Sequence, residues 1–107
     1  MIACLIEFGV RPGQETEHQR LLAHLMAKVA TIDGFISKEA FQSRSDPAKV
    51  ITISMWRDRA ALERWNADPD HIAAMAAGKT IFTHYRIQIA AIERDYGHGL
   101  EPALPTR

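Results

Sequence analysis

A single cysteine among 107 residues, Cys4, can close no internal disulfide and build no cysteine-based zinc site. A dominant charge is missing as well. Thirteen Lys and Arg offset thirteen Asp and Glu, so no net field draws the chain to nucleic acid or anionic lipid. No apolar run approaches the roughly 20 residues of a membrane span. The apolar start, Met1 to Ile6, is interrupted by Glu7 and has no basic segment before it, so it does not read as a leader. These absences, with the lone thiol, predict a cytoplasmic protein with no nucleic-acid or membrane partner. Catalytic motifs are equally scarce: there is no Gly-rich phosphate loop, no Ser/His/Asp spacing, no HExxH helix and no flavin or nicotinamide fingerprint. The five histidines, His18, His24, His71, His84 and His98, include no i, i+4 pair. Neither a metal nor a cofactor is therefore expected.

What is present is an ordinary globular composition, 47% apolar and 24% charged, at a length suited to one domain. Met1 to Val10 reads as a strand that is apolar on both sides, with Ile2, Cys4, Ile6 and Phe8 on one and Ala3 and Leu5 on the other. After Pro12-Gly13 the period becomes helical: Leu21, Leu22, Leu25, Met26, Val29 and Ile32 form a stripe that Asp33-Gly34 ends. A second strand follows, in which Phe35, Ser37, Glu39, Phe41 and Ser43 alternate with Ile36, Lys38, Ala40 and Gln42. Turn chemistry at Arg44 to Pro47 leads into the β-branched run Val50 to Trp56, which makes a hairpin of the two. Asp58 is a suitable N-cap for a helix over Arg59 to Asn66. Asp68, with Pro69 at the first helical position, starts another that Gly78 is expected to close. A long last strand is expected from Ile81 to Tyr96, with residues 98–107 as a tail or arm beyond a single domain of residues 1–97.

The order is α+β, a ferredoxin-like βαββαβ with a four-stranded antiparallel sheet covered by helices on one face. An antiparallel sheet with one wet face should alternate cleanly, whereas the first and third strands are apolar on both sides. A homodimer packed sheet to sheet is the economical answer.

The candidate chemistry gathers in the second half. Trp65 reads either as a core tryptophan or as a flat wall for an aromatic ligand with its indole N–H free to donate. His71, in the first turn after a proline, is either solvated or a base with a neutral imidazole near physiological pH. His18 lies on the apolar stripe of the first helix, as a half-buried histidine or part of a pocket wall. Tyr85 faces the helices, while His84, Arg86 and Gln88 share the opposite strand face, where they would meet a partner subunit.

The strand ending in Trp56, the stretch Arg57-Asp58-Arg59-Ala60-Ala61-Leu62-Glu63-Arg64-Trp65 after it, and Asp68-Pro69-Asp70-His71 resemble the antibiotic biosynthesis monooxygenase family. Gly34-Phe35 and the closing run from Tyr85-Arg86-Ile87 to Arg94-Asp95-Tyr96-Gly97 fit the same family, so the resemblance covers about residues 1–97. It implies a dimeric α+β barrel whose pocket lies between the helices and the concave face of each sheet. It also implies, from some members, oxidation of aromatic polyketides by O2 without metal or flavin. Trp65 matches the family's pocket tryptophan, with Asn66 beside it, and Tyr85 and Arg86 resemble a tyrosine and arginine that some members use. A sister group that degrades haem has a ligating histidine and an asparagine where this chain has Met75 and, on the first strand, about Ile6; only a shifted histidine such as His71 keeps that activity open. The expectation is a cofactor-independent monooxygenase acting on a small aromatic or polycyclic phenol. Trp65 and Asn66 would bind it, and His71, His18, Tyr85 and Arg86 would act on it. The alternatives are a non-catalytic dimeric binder of an apolar metabolite and, further off, haem turnover.

Overall fold

The first strand sits in the interior of the sheet, because its residues are apolar enough to be paired along both edges and covered by helices on one face. In the computed structural model, which describes residues 1–101, β1 (Ile2–Val10) pairs antiparallel with β3 (Val50–Trp56) on one side and β4 (Phe82–Ala91) on the other. β2 (Phe35–Gln42) completes the sheet beyond β3, giving the order β2-β3-β1-β4. Helix α1 (Glu15–Val29) follows β1, and α2 (Arg59–Asn66) and α3 (Pro69–Ile81) follow β3. This is the ferredoxin-like arrangement, with its second helical leg divided in two. No helix among the described residues is long and apolar enough to cross a membrane.

The helix starts lie where the side chains can satisfy them. Asp58 accepts a hydrogen bond from the Ala61 backbone N–H at 2.9 Å, and Asp68 accepts one from Asp70 N–H at 2.9 Å with Pro69 next in line. Between α1 and β2 the chain turns at Gly34, whose φ of +92° suits a residue without a side chain. The Gly34 carbonyl accepts from Arg57 N–H at 2.8 Å, which ties this turn to the end of β3.

Three expectations need correction. Gly78 does not end α3, which continues to Ile81 because that residue is buried and anchors the final turn. The glycine instead leaves room for the Phe82 ring, which a Cβ would meet at 3.3 Å. The last strand stops at Ala91, well short of Tyr96, where its ladder with β1, its one strand neighbour among the described residues, ends at the Ile2–Ala91 pair; one further backbone bond joins Ile92 N–H to the Met1 carbonyl at 2.9 Å. In β2 the alternation is broken by a bulge between Phe35 and Ser37. Phe35 thereby pairs with Trp56 and Lys38 with Ser54, so both lie on the helix-covered face. Of the expected tail, residues 98–100 form a bend and residues 102–107 lie outside the described residues.

The rest of the register sorts the sheet into two surfaces. Cys4 lies between Ser54 and Ile89, and Ile6 between Thr52 and Ile87, all under the helices. The core there joins Ile2, Cys4, Val29, Trp56, Leu62 and Trp65. The opposite face carries Leu5, Ile51, Ile53 and Met55, each partly exposed, and Phe41 at 44% exposure. No element among the described residues covers it. At its edge Glu7 pairs with Lys49 at 3.3 Å and Arg86 at 3.6 Å.

Candidate functional site

The helices close over the sheet at one end and stand away from it at the other. Buried Leu62 and Trp65 bring α2 against β3, whereas α1 has one fully buried residue, Val29 in its last turn. The space left is a cavity of about 550 Å³, within the range of small-molecule sites. Its floor is the alternate set of β1 and β3 side chains, Cys4, Ile6, Phe8, Thr52 and Ser54. Leu21, Leu22 and Leu25 of α1 form the roof. The mouth lies between α3 and β4, where the lining residues Ile72, Tyr85 and Ile89 are 55%, 45% and 47% exposed.

Trp65 is 5% exposed and belongs to the core, yet it also reaches the cavity. The two sequence readings of this tryptophan are therefore compatible. His71 packs on it, with ring centroids 4.7 Å apart and an interplanar angle of 41°. The Nδ1 of His71 is buried and has no hydrogen-bond partner, an arrangement that costs stability unless a ligand or water supplies one. Burial holds the His71 imidazole below its ordinary pKa, and the positive charge of Lys38 adds to this; Asp68 and the Asn66 backbone pull the other way without reversing it. At the other end of the cavity His18 lies 5.2 Å from Phe8 and 5.6 Å from Phe82, centroid to centroid. Burial and then Lys38 lower its pKa as well. Both histidines thus present neutral rings, the form that accepts a proton.

Asn66 and Tyr85 line the cavity too, Tyr85 at its mouth near Phe82. Arg86 does not join them. It follows Tyr85 in the strand, so it projects from the other face of the sheet, where it pairs with Glu7. The structure therefore brings together Trp65, Asn66, His71, His18 and Tyr85 around one cavity and leaves Arg86 outside it. Met75 and Ile6, which the family resemblance sets against the haem degraders' histidine and, approximately, their asparagine, also line the cavity and offer a thioether and an aliphatic chain.

Sequence reasoning passed over one wall residue, Lys38. It is half-buried on β2, and burial pushes its ammonium pKa down. Its signal was available as a lysine in phase with Ala40 and opposite the apolar strand, but a lone lysine in an edge strand reads first as a solubilising residue.

A family model described as antibiotic biosynthesis monooxygenase matches residues 1–77. Jasmonate monooxygenase of Pyricularia oryzae is 28% identical over 93 residues, which cover 86% of this chain and 43% of that protein; the chain spans less than half the length of this relative. Among solved structures, a Mycobacterium tuberculosis protein superposes with a TM-score of 0.79 at 18% identity, covering 90% of this chain and 98% of its own. SnoaB, a cofactor-independent oxygenase of Streptomyces nogalater, gives 0.73 at 19% identity, covering 88% of this chain and 94% of its own. At such identities the likeness speaks to the fold.

Proposed function

The chain belongs to the antibiotic biosynthesis monooxygenase family, and from that premise we propose that it oxidises a small aromatic or polycyclic phenol with O2, using no metal or organic cofactor. The observation that carries this reading is the close, tilted Trp65–His71 ring contact, with a buried and unpartnered His71 Nδ1, on the wall of an apolar cavity. A flat substrate would lie against Trp65, with Asn66 and Tyr85 as the polar groups that orient it. Neutral His71 would take the proton that converts the phenol or its keto tautomer to an electron-rich anion, with His18 as the second candidate base. The anion gives its electrons to O2, the new C–O bond yields a hydroperoxide on reprotonation, and loss of water leaves a ketone. For an anthrone the balance is one O2 consumed and one water released per CH2 converted to C=O. The cavity excludes bulk water from the anion while this happens.

Oxygen uptake by the metal-free, flavin-free protein with an anthrone tests this. His71→Ala should lower the rate on the order of 100-fold, as loss of a positioned base does. Less than about tenfold loss from Trp65→Phe and His71→Ala combined would remove both assignments. Saturable binding of the anthrone without uptake would instead favour a non-catalytic binder, a reading supported by the scarcity of charged groups on the wall. Haem turnover gains nothing from Met75 and Ile6 in the places of an imidazole and an amide.

The proposed working unit is a homodimer, its two sheets packed through Leu5, Ile51, Ile53, Met55 and Phe41. An uncovered apolar sheet face of this kind is what a partner surface looks like before assembly. Sedimentation at micromolar concentration should return a species of twice the 12.0 kDa chain mass, and a monomer would refute the dimer.

A further inference from the structure

We propose that Lys38 is the cation that receives an oxyanion of the substrate, so that the cavity takes a flat apolar molecule bearing one acidic oxygen group, either an ionised ring hydroxyl or a carboxylate. This deepens the reading of the cavity as a substrate site and rests on it. The bulge in β2 turns Lys38 to the helix-covered face, directly across from Ser54, which in turn lies across from Cys4. The lysine therefore stands at one end of a transverse polar row, on a floor whose other polar group is the Thr52 hydroxyl. It is the sole Lys, Arg, Asp or Glu lining the cavity among the described residues.

The carboxylates that could have neutralised it are engaged elsewhere, and the one ionisable group that favours its charge, the Cys4 thiol in the same row, is pushed toward its neutral form by burial. Glu7 is on the other face with Lys49 and Arg86; Asp33 holds Arg57 and approaches Arg64; Asp68 and Asp70 meet Lys28. Glu39, its neighbour in sequence, points to the other side of the sheet, opposite Ile53. No ion pair involves Lys38 among the described residues, although other half-buried charges of this chain, such as Glu7, have found one. A half-buried ammonium without a counter-ion is costly to keep charged. An incoming anion removes that cost, so it gains more here than on the surface.

The field of this lysine also crosses the cavity, since it contributes to the low pKa of both His18 and His71. That gives the wall a division of labour. The neutral histidines can accept a proton, and the lysine can hold the charge left behind, which favours the ionised form of a weak acid.

Calorimetric binding of 2-naphthoate and its neutral isostere 2-naphthamide to the full chain tests the carboxylate source. The colour of 4-nitro-1-naphthol, measured as its phenolate fraction at fixed pH with and without protein, tests the ring hydroxyl. Lys38→Met keeps the length and packing of the side-chain stem and should not disturb the fold. In this variant at least one anion should lose about tenfold or more in affinity while 2-naphthamide changes less than about twofold, and Lys38→Arg should keep much of the parent affinity for that anion. The anion that responds identifies the source. If both anions bind Lys38→Met within about twofold of the parent, the role of Lys38 is overturned. If none of the three compounds binds the parent protein, the cavity itself is not the substrate site. Neither readout depends on oxygen chemistry.

Discussion

Trp56→Ala should destabilise the protein by about 3–5 kcal/mol, the usual range for removing a buried aromatic. Trp56 is 1% exposed and is the largest side chain buried to that degree. It ends β3 beneath α2, meets Phe35 edge to face at 5.3 Å, and donates its indole N–H to Ser54 Oγ at 2.9 Å. Truncation would lose the transfer energy of the ring, open a cavity among Ile2, Ala61 and Leu62, and leave Ser54 without that donor. For a chain of this length the thermal midpoint should fall by more than about 12 °C. Equilibrium urea unfolding provides the number. A change below about 1 kcal/mol would mean that α2 is held to the sheet by something other than this ring. Trp56→Phe, which keeps much of the packing but not the donor, should fall between.

Gly34→Ala is expected to cost about 2–5 kcal/mol, a large penalty for one methyl group. Two independent causes add. A φ of +92° is unfavourable for any residue with a side chain, by roughly 1–2 kcal/mol. The new Cβ would also lie 2.5 Å from the Cβ of Ala61, which is 0% exposed and fixed in α2, so overpacking adds about 1–3 kcal/mol. A double-mutant cycle separates the two. Ala61→Gly should relieve the contact in the Gly34→Ala background but not the backbone strain, so the pair should recover part of the stability and no more. A single-variant effect within about 0.5 kcal/mol of zero would show that the turn can reshape freely.

Local chemistry made several elements legible in the sequence. Asp58 and Asp68-Pro69 carry their capping function in their own side chains, and both helices begin where those residues place them. The β-branched run from Val50 to Trp56 has no other regular structure to adopt. Features decided by a distant neighbour were harder to see. The helix continues through Gly78 because Ile81, beyond it, is buried, and β4 ends where its partner strand begins. The bulge before Ser37 has no glycine to announce it, so the phase shift that gathers Phe35 and Lys38 onto one face was not visible. The same division runs through the site. His18, Trp65, His71 and Tyr85 lie on faces that periodicity could assign, whereas Lys38 became notable through carboxylates that are absent from its surroundings. Alternation also placed Arg86 opposite Tyr85, and it is this alternation, rather than the family resemblance, that the structure follows.

The strict alternation of β1 has a consequence for how the protein can change over generations. Its even-numbered residues Ile2, Cys4, Ile6 and Phe8 look into the core and cavity, while Ala3, Leu5 and Glu7 belong to the other surface. One short segment therefore carries two interleaved messages, addressed to two different readers. Point substitutions can edit either message and leave the other intact, so ligand preference and surface association are free to drift separately. Loss or gain of a single codon between these positions would exchange the two. It would present the carboxylate of Glu7 to the cavity and the ring of Phe8 to the outside, with both neighbouring ladders thrown out of step. This strand should tolerate many spellings and almost no change of length.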